Sequence, residues 1–354
     1  AGSNRMNIYT VRKATQGLAD YINEWASKNS VSPSVAIAFD SRHKSDTFSR
    51  EAASVMAANG IAVHIYKELR PVPMLSFAVR ELGTTAGIVI TASHNPPEYN
   101  GYKVYWSDGC QVISPHDHAI IDKVNAIKEF TDVKTMEFND AFQQSLVKFI
   151  PDSVEEKYFA KIEALSKGNP EFNKGFGVVY TPLHGAGNYP VREMLRRKGF
   201  ENVSVVASQE MPDGAFPTVK SPNPEEPSAL QIARETATEN DQLIIGTDPD
   251  ADRIGVMVRH KGDWHKINGN QIGQLILDYY LRKLTDDGSL PKDGVFITTI
   301  VTSGLGEQIA KSLGVRTEET LTGFKYIGSV IRQLEAENSG SFIFGTEESH
   351  GYLL

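Results

Sequence analysis

The sequence has little of three things: cysteine, long apolar runs and positive charge. Its 354 residues include one cysteine, Cys110, so an internal disulfide is impossible. No apolar run approaches the roughly 18 residues of a membrane-spanning helix, which excludes a transmembrane protein. The formal net charge of −8 argues against a nucleic-acid-binding protein, because phosphate backbones are bound by clustered basic surfaces. We therefore expect a soluble cytoplasmic protein whose partners include no nucleic acid and no membrane.

The length predicts more than one domain, since single hydrophobic cores stop growing at about 250–300 residues. Short apolar runs, each followed directly by small or polar residues, are typical of buried parallel strands that end in functional loops. Such runs occur in three pairs, at 35–39 and 87–90, at 176–180 and 243–245, and at 294–298 and 341–344.

Helical patterns separate the two members of each pair. Examples are 47–59 and 271–284, the second behind Asn270 as a candidate N-cap. The predicted fold class is α/β, with three related α/β domains built on mixed, largely parallel sheets. We expect these domains at 1–150, 151–260 and 261–354. In open α/β sheets ligands bind beyond the carboxyl ends of the strands, where all the polar clusters of this sequence lie.

Three carboxylates within five residues follow the run at 243–245: Asp248, Asp250 and Asp252, in TDPDADR. Carboxylates held this close repel one another, and an oxygen-preferring divalent cation neutralises them. A calcium EF-hand also starts D-x-D-x-D, but its sixth and twelfth positions require glycine and an acid, where this chain has Arg253 and Arg259. The cluster therefore predicts a magnesium site with room for a phosphate oxygen.

The run at 87–90 ends in TASHNP, which contains Ser93. This serine lacks the G-x-S-x-G context of a hydrolase nucleophile, and His94 is adjacent in sequence, so we expect the two side chains to diverge. A serine that carries a phosphoryl group instead needs a cation beside the phosphoryl oxygens and donors that position the incoming hydroxyl. The carboxylate cluster supplies the first. Lys103, in NGYK, can supply the second if nearby charges shift its pKa.

Four clusters in sequence order, TASHNPPEYNGYK, GTDPDADR, TLTGFKYIG and GTEESHG, resemble motifs of the α-D-phosphohexomutase superfamily, in its phosphoglucomutase/phosphomannomutase branch. TPLHGAGNYPV and PDGAFPTVKSPNPEEP resemble that branch as well, and the match spans nearly the whole chain. The resemblance implies a phosphoserine at Ser93. This residue would give its phosphoryl group to a hexose monophosphate, and the bound 1,6-bisphosphate would turn over and return the opposite phosphate.

The resemblance also implies roles for residues around Ser93. His94 and Lys103 would serve the phosphoserine loop, with Lys103 as the candidate general acid/base, and Arg253 would lie beside the reacting phosphoryl group. The implied magnesium ligands are a phosphoryl oxygen on Ser93 and the carboxylates of Asp248, Asp250 and Asp252.

In the third domain the resemblance implies sugar recognition. Glu347 and Ser349 would bind sugar hydroxyls, which agrees with their chemistry, since a carboxylate and an alcohol two residues apart can accept from and donate to vicinal hydroxyls. His350 is either a further acid/base or a residue that only shapes the loop. The loop implied to recognise sugar orientation comprises Thr322, Gly323, Phe324 and Lys325.

Two other polar residues lie near strand ends. Arg42, in DSRHKS, is expected to form an interdomain salt bridge, and His184, in TPLHGAG, is expected to be structural. Family members also have a fourth, C-terminal domain with a phosphate-clamping loop, and an arginine-glycine segment ahead of the residues matching GSNRMN. Neither occurs in this sequence, so we expect weak substrate affinity and low activity from these 354 residues alone.

The leading hypothesis is a phosphoglucomutase that interconverts glucose 1-phosphate and glucose 6-phosphate, with Mg²⁺ as cofactor and glucose 1,6-bisphosphate as intermediate and activator. Phosphopentomutase or phosphomannomutase activity is the near alternative. More distant alternatives are a metal-dependent sugar-phosphate hydrolase and a non-catalytic sugar-phosphate sensor. In each case the expected partners are small-molecule sugar phosphates, and the chain is expected to be a monomer or a weak dimer.

Overall fold

The computed structural model describes residues 5–354; residues 1–4, where the first expected domain begins, lie outside the described residues. The chain forms three successive mixed sheets with helices packed against them, which confirms the predicted fold class. Among the described residues, no helix is both long enough and apolar enough to cross a membrane.

The first sheet has the order β4-β3-β1-β2-β5, in which only β4 is antiparallel. Alternate residues of β1 face opposite layers: Val35 and Ile37 pack with α1 and α2, while Ala36 and Ala38 pack with α3. In chain order the elements are α1 (Ile8–Asn29), β1 (Ser34–Phe39), α2 (Ser45–Ala58), β2 (Ala62–Ile65), α3 (Val72–Leu82), β3 (Ala86–Ile90), β4 (Tyr102–Trp106), α4 (His116–Ala126), α5 (Phe138–Gln143) and β5 (Val147–Phe149).

The second sheet has the order β10-β9-β8-β6-β7, with β9 and β10 antiparallel to their neighbours. Because β10 pairs with β9, this sheet runs to Ile267, a few residues past the expected boundary near 260. Its elements are α6 (Asp152–Leu165), α7 (Pro170–Lys174), β6 (Gly177–Thr181), α8 (Asn188–Arg197), β7 (Val203–Val205), α9 (Ala207–Glu210), α10 (Gln231–Thr236), β8 (Asp241–Thr247), β9 (Ile254–His260) and β10 (Asp263–Ile267).

The third sheet has the order β12-β11-β13-β14, with β14 antiparallel. The expected N-cap Asn270 is wrong. The helix begins two residues earlier, where Asn268 has extended backbone and accepts the N–H of Gln271, while Asn270 accepts the N–H of Ser303 at 2.8 Å. The elements are α11 (Gly269–Asp286), β11 (Gly294–Thr299), α12 (Leu305–Ser312), β12 (Arg316–Thr320), α13 (Phe324–Glu337), β13 (Ser341–Glu347) and β14 (Gly351–Leu353).

All three domains share one arrangement of four strands. In each, the first strand lies between the second and the third, and the fourth pairs antiparallel with the third. The loops between the third and fourth strands are therefore equivalent: 91–101 after β3, 248–253 after β8 and 348–350 after β13. A cavity of about 1280 Å³ lies between the domains, and its lining includes Lys103 of the first hairpin, Asp252 of the second and Tyr352 of the third.

Candidate active site

The hairpin loops of the first two domains meet at Ser93. Its hydroxyl donates to Oδ2 of Asp248 over 2.8 Å. Lys103 lies opposite Val89 in the β3–β4 ladder, and its Nζ is 2.9 Å from Oδ2 of Asp250. The serine of one domain and the carboxylates of the next therefore form a single cluster.

The three aspartates form a set of oxygen donors suited to a divalent cation. One oxygen from each of Asp248, Asp250 and Asp252 lies within 4.8 Å of the others. Oδ1 of Asp250 and Oδ1 of Asp252 are buried and accept no hydrogen bond from the described residues. Buried acceptors of this kind fit an oxygen-preferring cation such as Mg²⁺.

The neighbouring charges of the cluster change the pKa of each aspartate. Burial, together with repulsion from Asp250, raises the pKa of Asp248 well above its usual value and that of Asp252 to about 6. Burial also acts to raise the pKa of Asp250, but the charge of Lys103 together with hydrogen bonds from Lys103, Asp248 and Thr91 outweighs burial and leaves that pKa lowered. Excess negative charge is thus concentrated on a few oxygens, and Lys103 offsets part of it.

Lys103 is held in its charged form by this cluster. Burial favours the neutral amine, but the carboxylates of Asp250 and Asp252 outweigh burial and raise the pKa of Lys103. Its Nζ lies 3.5 Å from Oδ2 of Asp252. The pKa shift therefore goes upward, away from neutral pH, and the cluster stabilises the ammonium form of Lys103.

The expectation that the side chains of Ser93 and His94 diverge is wrong. Nδ1 of His94 lies 3.2 Å from Oγ of Ser93. Ser93 has a φ of 52°, in the left-handed region, and this backbone turn brings the neighbouring side chains together. Burial and the positive charge of Arg253 lower the pKa of His94, so its imidazole is neutral at neutral pH.

The expected interdomain salt bridge of Arg42 is also wrong. The ionic partner of this buried arginine is Asp40, in its own domain, with Nε 3.3 Å from Oδ2. Its contact with the second domain is the ring of Phe216, whose centroid lies 5.1 Å from the guanidinium carbon. The guanidinium is directed at the loop that contains Ser93, because four backbone carbonyls of that loop converge on it, those of Ser93, Asn95, Pro96 and Tyr99.

Arg253 follows the aspartates and contacts both the aspartate loop and a neighbouring loop. Its backbone N–H donates to Oδ1 of Asp248 over 3.1 Å. Its guanidinium donates to Glu225 in the SPNPEEP segment. This segment is part of the motif PDGAFPTVKSPNPEEP, but the sequence predicts no role for Glu225. The side chain of Arg253 is thereby held at the edge of the aspartate cluster.

Glu347 in the third domain is fixed by its neighbours. The N–H of Gly323 donates to Oε1, and the hydroxyl of Ser349 lies 3.4 Å from Oε2. Gly323 has a φ of 118°, a conformation that side chains rarely adopt. Burial raises the pKa of Glu347. The carboxylate and hydroxyl predicted to bind vicinal sugar hydroxyls therefore lie together, beside the loop that contains Gly323.

The other predicted residues of the sugar loop differ in their surroundings. Thr322 is exposed. Phe324 begins α13, lines the interdomain cavity and packs closely over Gly351. Nζ of Lys325 lies over the ring of Tyr326 at 5.1 Å.

His350 joins the third domain to the second. It is hydrogen-bonded twice to Ile254 of the second domain. The N–H of Ile254 donates to the carbonyl of His350 over 3.2 Å, and Nδ1 of His350 lies 3.0 Å from the carbonyl of Ile254. Burial lowers the pKa of His350, so its ring is neutral. Of the two roles considered for this histidine, the contacts favour shaping the loop.

His184 has the surroundings of a structural residue, as expected. It is buried, with Nδ1 3.1 Å from the carbonyl of Met211 and Nε2 2.8 Å from the hydroxyl of Thr218. Both ring nitrogens are thus used within the second domain.

Comparison with known proteins identifies the family. Three family models match in order: phosphoglucomutase/phosphomannomutase alpha/beta/alpha domain I over residues 1–131, domain II over 156–262 and domain III over 268–354. The chain belongs to the phosphoglucomutase/phosphomannomutase family, within the α-D-phosphohexomutase superfamily.

Curated relatives differ in the sugar named. A phosphoglucomutase of Staphylococcus saprophyticus is 39% identical over 99% of this chain and 62% of its own length. A probable phosphomannomutase of Haemophilus influenzae is 38% identical over 99% of this chain and 67% of its own length. A probable phosphoribomutase of Schizosaccharomyces pombe is 37% identical over 100% of this chain and 60% of its own length. The chain thus spans between 60% and 67% of the length of these relatives.

A solved structure agrees in fold. The crystal structure of a putative phosphomannomutase from Thermus thermophilus matches with a TM-score of 0.78 and 23% identity, over 99% of this chain and 72% of that one.

Proposed function

We propose that this chain contains the phosphoserine, metal and sugar-recognition parts of a phosphoglucomutase. The reaction would interconvert glucose 1-phosphate and glucose 6-phosphate through Ser93 and bound glucose 1,6-bisphosphate. The observation that carries the proposal is the 2.8 Å contact between Oγ of Ser93 and Asp248, at the edge of the aspartate cluster. Phosphoryl transfer requires this combination of an oxygen that accepts the phosphoryl group and a cation site beside it.

The aspartates Asp248, Asp250 and Asp252 would hold Mg²⁺, which when bound would spread the negative charge of the phosphoryl oxygens. The ammonium of Lys103 would add positive charge on the side of the first domain and donate a proton to a leaving oxygen. His94 is neutral, and its Nδ1 is close enough to Oγ of Ser93 to take the serine proton when a phosphoryl group arrives.

The chain would release the phosphoryl group by the reverse path. The bond between phosphorus and Oγ of Ser93 breaks as the bond to the sugar oxygen forms. Lys103, left neutral by the first transfer, would take the proton of that sugar hydroxyl, and His94 would return its proton to Oγ. Glu347 and Ser349 would hold two sugar hydroxyls meanwhile. Because the bisphosphate must offer either phosphate to Ser93, these two residues have to bind the sugar in both orientations.

The choice of glucose rests on the resemblance of TGFKYIG and GTEESHG to glucose-type or pentose-type mutases. The relatives include enzymes named for glucose, mannose and ribose phosphates, so these three sugars are the ones to compare. We further propose sugar phosphates as partners, a cytoplasmic location and a monomer or weak dimer.

The first experiment tests whether Ser93 carries phosphate. The chain is incubated with glucose 1,6-bisphosphate and Mg²⁺, then digested, and the peptide containing Ser93 is weighed by mass spectrometry, with Ser93→Ala as control. One added phosphate on Ser93 is expected. Free phosphate with an unmodified Ser93 would favour the hydrolase, and binding without transfer would favour the sensor.

The sugar is tested next on the same chain. Values of kcat/KM for glucose 1-phosphate, mannose 1-phosphate and ribose 1-phosphate should rank glucose first. A clear preference for ribose or mannose would replace phosphoglucomutase with phosphopentomutase or phosphomannomutase and leave the role of Ser93 unchanged.

A further inference from the structure

Thr91 places one buried hydroxyl where the phosphoserine loop meets the metal loop. It follows β3 directly and is 1% exposed. Its Oγ1 accepts the N–H of Ser93 over 2.9 Å, and lies 2.6 Å from Oδ2 of Asp40 and 3.1 Å from Oδ2 of Asp250. One atom therefore contacts the backbone of the phosphoserine, a carboxylate of the first domain and a carboxylate of the second.

We propose that Thr91 is a positioning residue for phosphoryl transfer, whose hydroxyl holds the Ser93 loop in register with the Asp248–Asp252 loop. The inference rests on the proposed function, because positioning matters only if Ser93 exchanges phosphate. Thr91 would touch neither the substrate nor the reacting atoms, and would act through Ser93 and Asp250.

The hydrogen-bonding capacity of a hydroxyl fixes its direction. A threonine hydroxyl has one proton to donate and two lone pairs to accept with. Here it accepts from Ser93, so its proton is shared between two carboxylate oxygens, with the shorter contact to Asp40. Asp40 is itself held in place, because Oδ1 accepts the hydroxyl of Ser45 at 2.8 Å and the N–H of Arg42 at 2.9 Å.

Arg42 holds the same loop from its other side. Thr91 binds the N–H of Ser93, and the guanidinium of Arg42 binds the carbonyl of Ser93 together with further carbonyls of the loop. Because both its N–H and its carbonyl are hydrogen-bonded, the backbone of Ser93 keeps its left-handed conformation, which directs Oγ toward Asp248. The contact of Thr91 with Asp250 then ties this conformation to the metal loop.

The chain offers substitutions that separate the hydroxyl from the space it fills. Thr91→Val keeps the shape and removes the hydroxyl, while Thr91→Ser keeps the hydroxyl and removes a methyl group. Thr84→Val is the matched control, since Thr84 is also buried and donates to a backbone carbonyl, that of Ala86 at 3.0 Å, at the other end of β3.

The principal measurement is the rate at which glucose 1,6-bisphosphate phosphorylates Ser93 in the intact chain, followed over a range of donor concentrations. Thr91→Val should lower the maximal rate roughly 10- to 100-fold, as expected for a small misplacement of reacting groups, with the half-maximal donor concentration changed less than about threefold. Thr91→Ser and Thr84→Val should retain rates close to the parent chain. Equal losses in Thr91→Val and Thr91→Ser, or a parent-like Thr91→Val, would overturn the proposal.

A second measurement does not depend on turnover. Mn²⁺ alone is titrated against each variant, with free ion detected by electron paramagnetic resonance. Thr91→Val should bind Mn²⁺ more weakly than Thr91→Ser and Thr84→Val, because Asp250 loses its contact with the hydroxyl. Equal Mn²⁺ affinities in all three variants, or no Mn²⁺ binding to the parent chain, would refute the claim that Thr91 aligns the Ser93 loop with the Asp248–Asp252 loop.

The two measurements distinguish failure of this inference from failure of the proposed function. If Ser93 of the parent chain gains no phosphate, the proposed function fails, and the Mn²⁺ titration still tests the register. If Thr91→Val does not fold, Thr91→Ala compared with Thr91→Ser isolates the same hydroxyl. Parent-like behaviour of Thr91→Ala in both assays would refute the role of Thr91.

Discussion

Gly328 makes the contact between α13 and the first domain unusually close, and this leads to a quantitative prediction. An ideal Cβ at Gly328 would lie 2.4 Å from Sγ and 2.9 Å from Cβ of Cys110. An ordinary contact begins at 3.4 Å, so Gly328→Ala requires a displacement of about 1 Å (3.4 − 2.4) by the helix or by Cys110. Two ion pairs border this contact, Arg332–Asp108 at 3.0 Å and Arg80–Glu335 at 3.2 Å.

Two opposing terms set the size of the effect. Overpacking costs about 1–3 kcal/mol, whereas replacing glycine inside a helix gains about 1 kcal/mol. A net loss of about 1 kcal/mol is therefore expected, which is roughly fivefold in the equilibrium that holds the third domain against the first. Because α13 begins directly after Gly323, the displacement should also reach the loop that supports Glu347.

Hydrogen exchange and thermal unfolding provide the assays. Gly328→Ala should exchange faster in α13 and unfold at a lower temperature than the parent, whereas Gly175→Ala, where a Cβ meets nothing within 4 Å, should not. Adding Cys110→Gly to Gly328→Ala removes the clashing atoms. The double variant should therefore lose less stability than the sum of the losses measured for the two single variants. Additive losses, or a Gly328→Ala variant as stable as Gly175→Ala, would refute the steric reasoning.

Three other substitutions test separate parts of the structure. Asp250→Asn should weaken Mn²⁺ binding at least about tenfold in a calorimetric titration, while Asp241→Asn, a buried aspartate outside the cluster, should not. Arg42→Lys should make the loop 93–99 more sensitive to proteolysis, because an ammonium cannot reach four carbonyls, and an unchanged cleavage rate would contradict that role. Burial and the positive charge of Lys148 lower the pKa of His64 in the folded protein. The stability that the neutral ring contributes is therefore present above pH 6.5 and is lost as the pH falls through the folded-state pKa. His64→Gln should flatten the dependence of unfolding free energy on pH in this range, and an NMR pKa above 6.5 for His64 would show that the predicted direction is wrong.

The strands and the place of the site could be predicted because their signals are local. Apolar runs that end in polar clusters indicated the parallel strands, and the aspartates of TDPDADR indicated a cation site by spacing alone. The carboxyl-edge rule for α/β sheets then placed Ser93 and the aspartates in the same region, where the structure has Oγ of Ser93 2.8 Å from Asp248. The roles assigned to these residues stay predictions.

The predictions that the structure contradicts concern contacts that depend on backbone conformation and on distant parts of the chain. No sequence pattern indicates the left-handed turn at Ser93, which brings His94 beside it. Arg42 was read as an ion-pair residue because a guanidinium bound to backbone carbonyls has no sequence signature. No sequence pattern singles out Thr91, because its contacts with Asp40 and Asp250 depend on residues far away in the chain.

The repeated hairpin gives the molecule a modular design. In each domain the loop with the chemical groups is anchored by a parallel strand at its start and an antiparallel strand at its end, so the sheet does not depend on what the loop contains. A substitution at Ser349, which contacts Glu347 within the third hairpin, should therefore leave the strand pairs that hold the serine in 91–101 and the carboxylates in 248–253 in place. A scaffold of this kind can diversify its ligands one hairpin at a time while the chemical step is preserved.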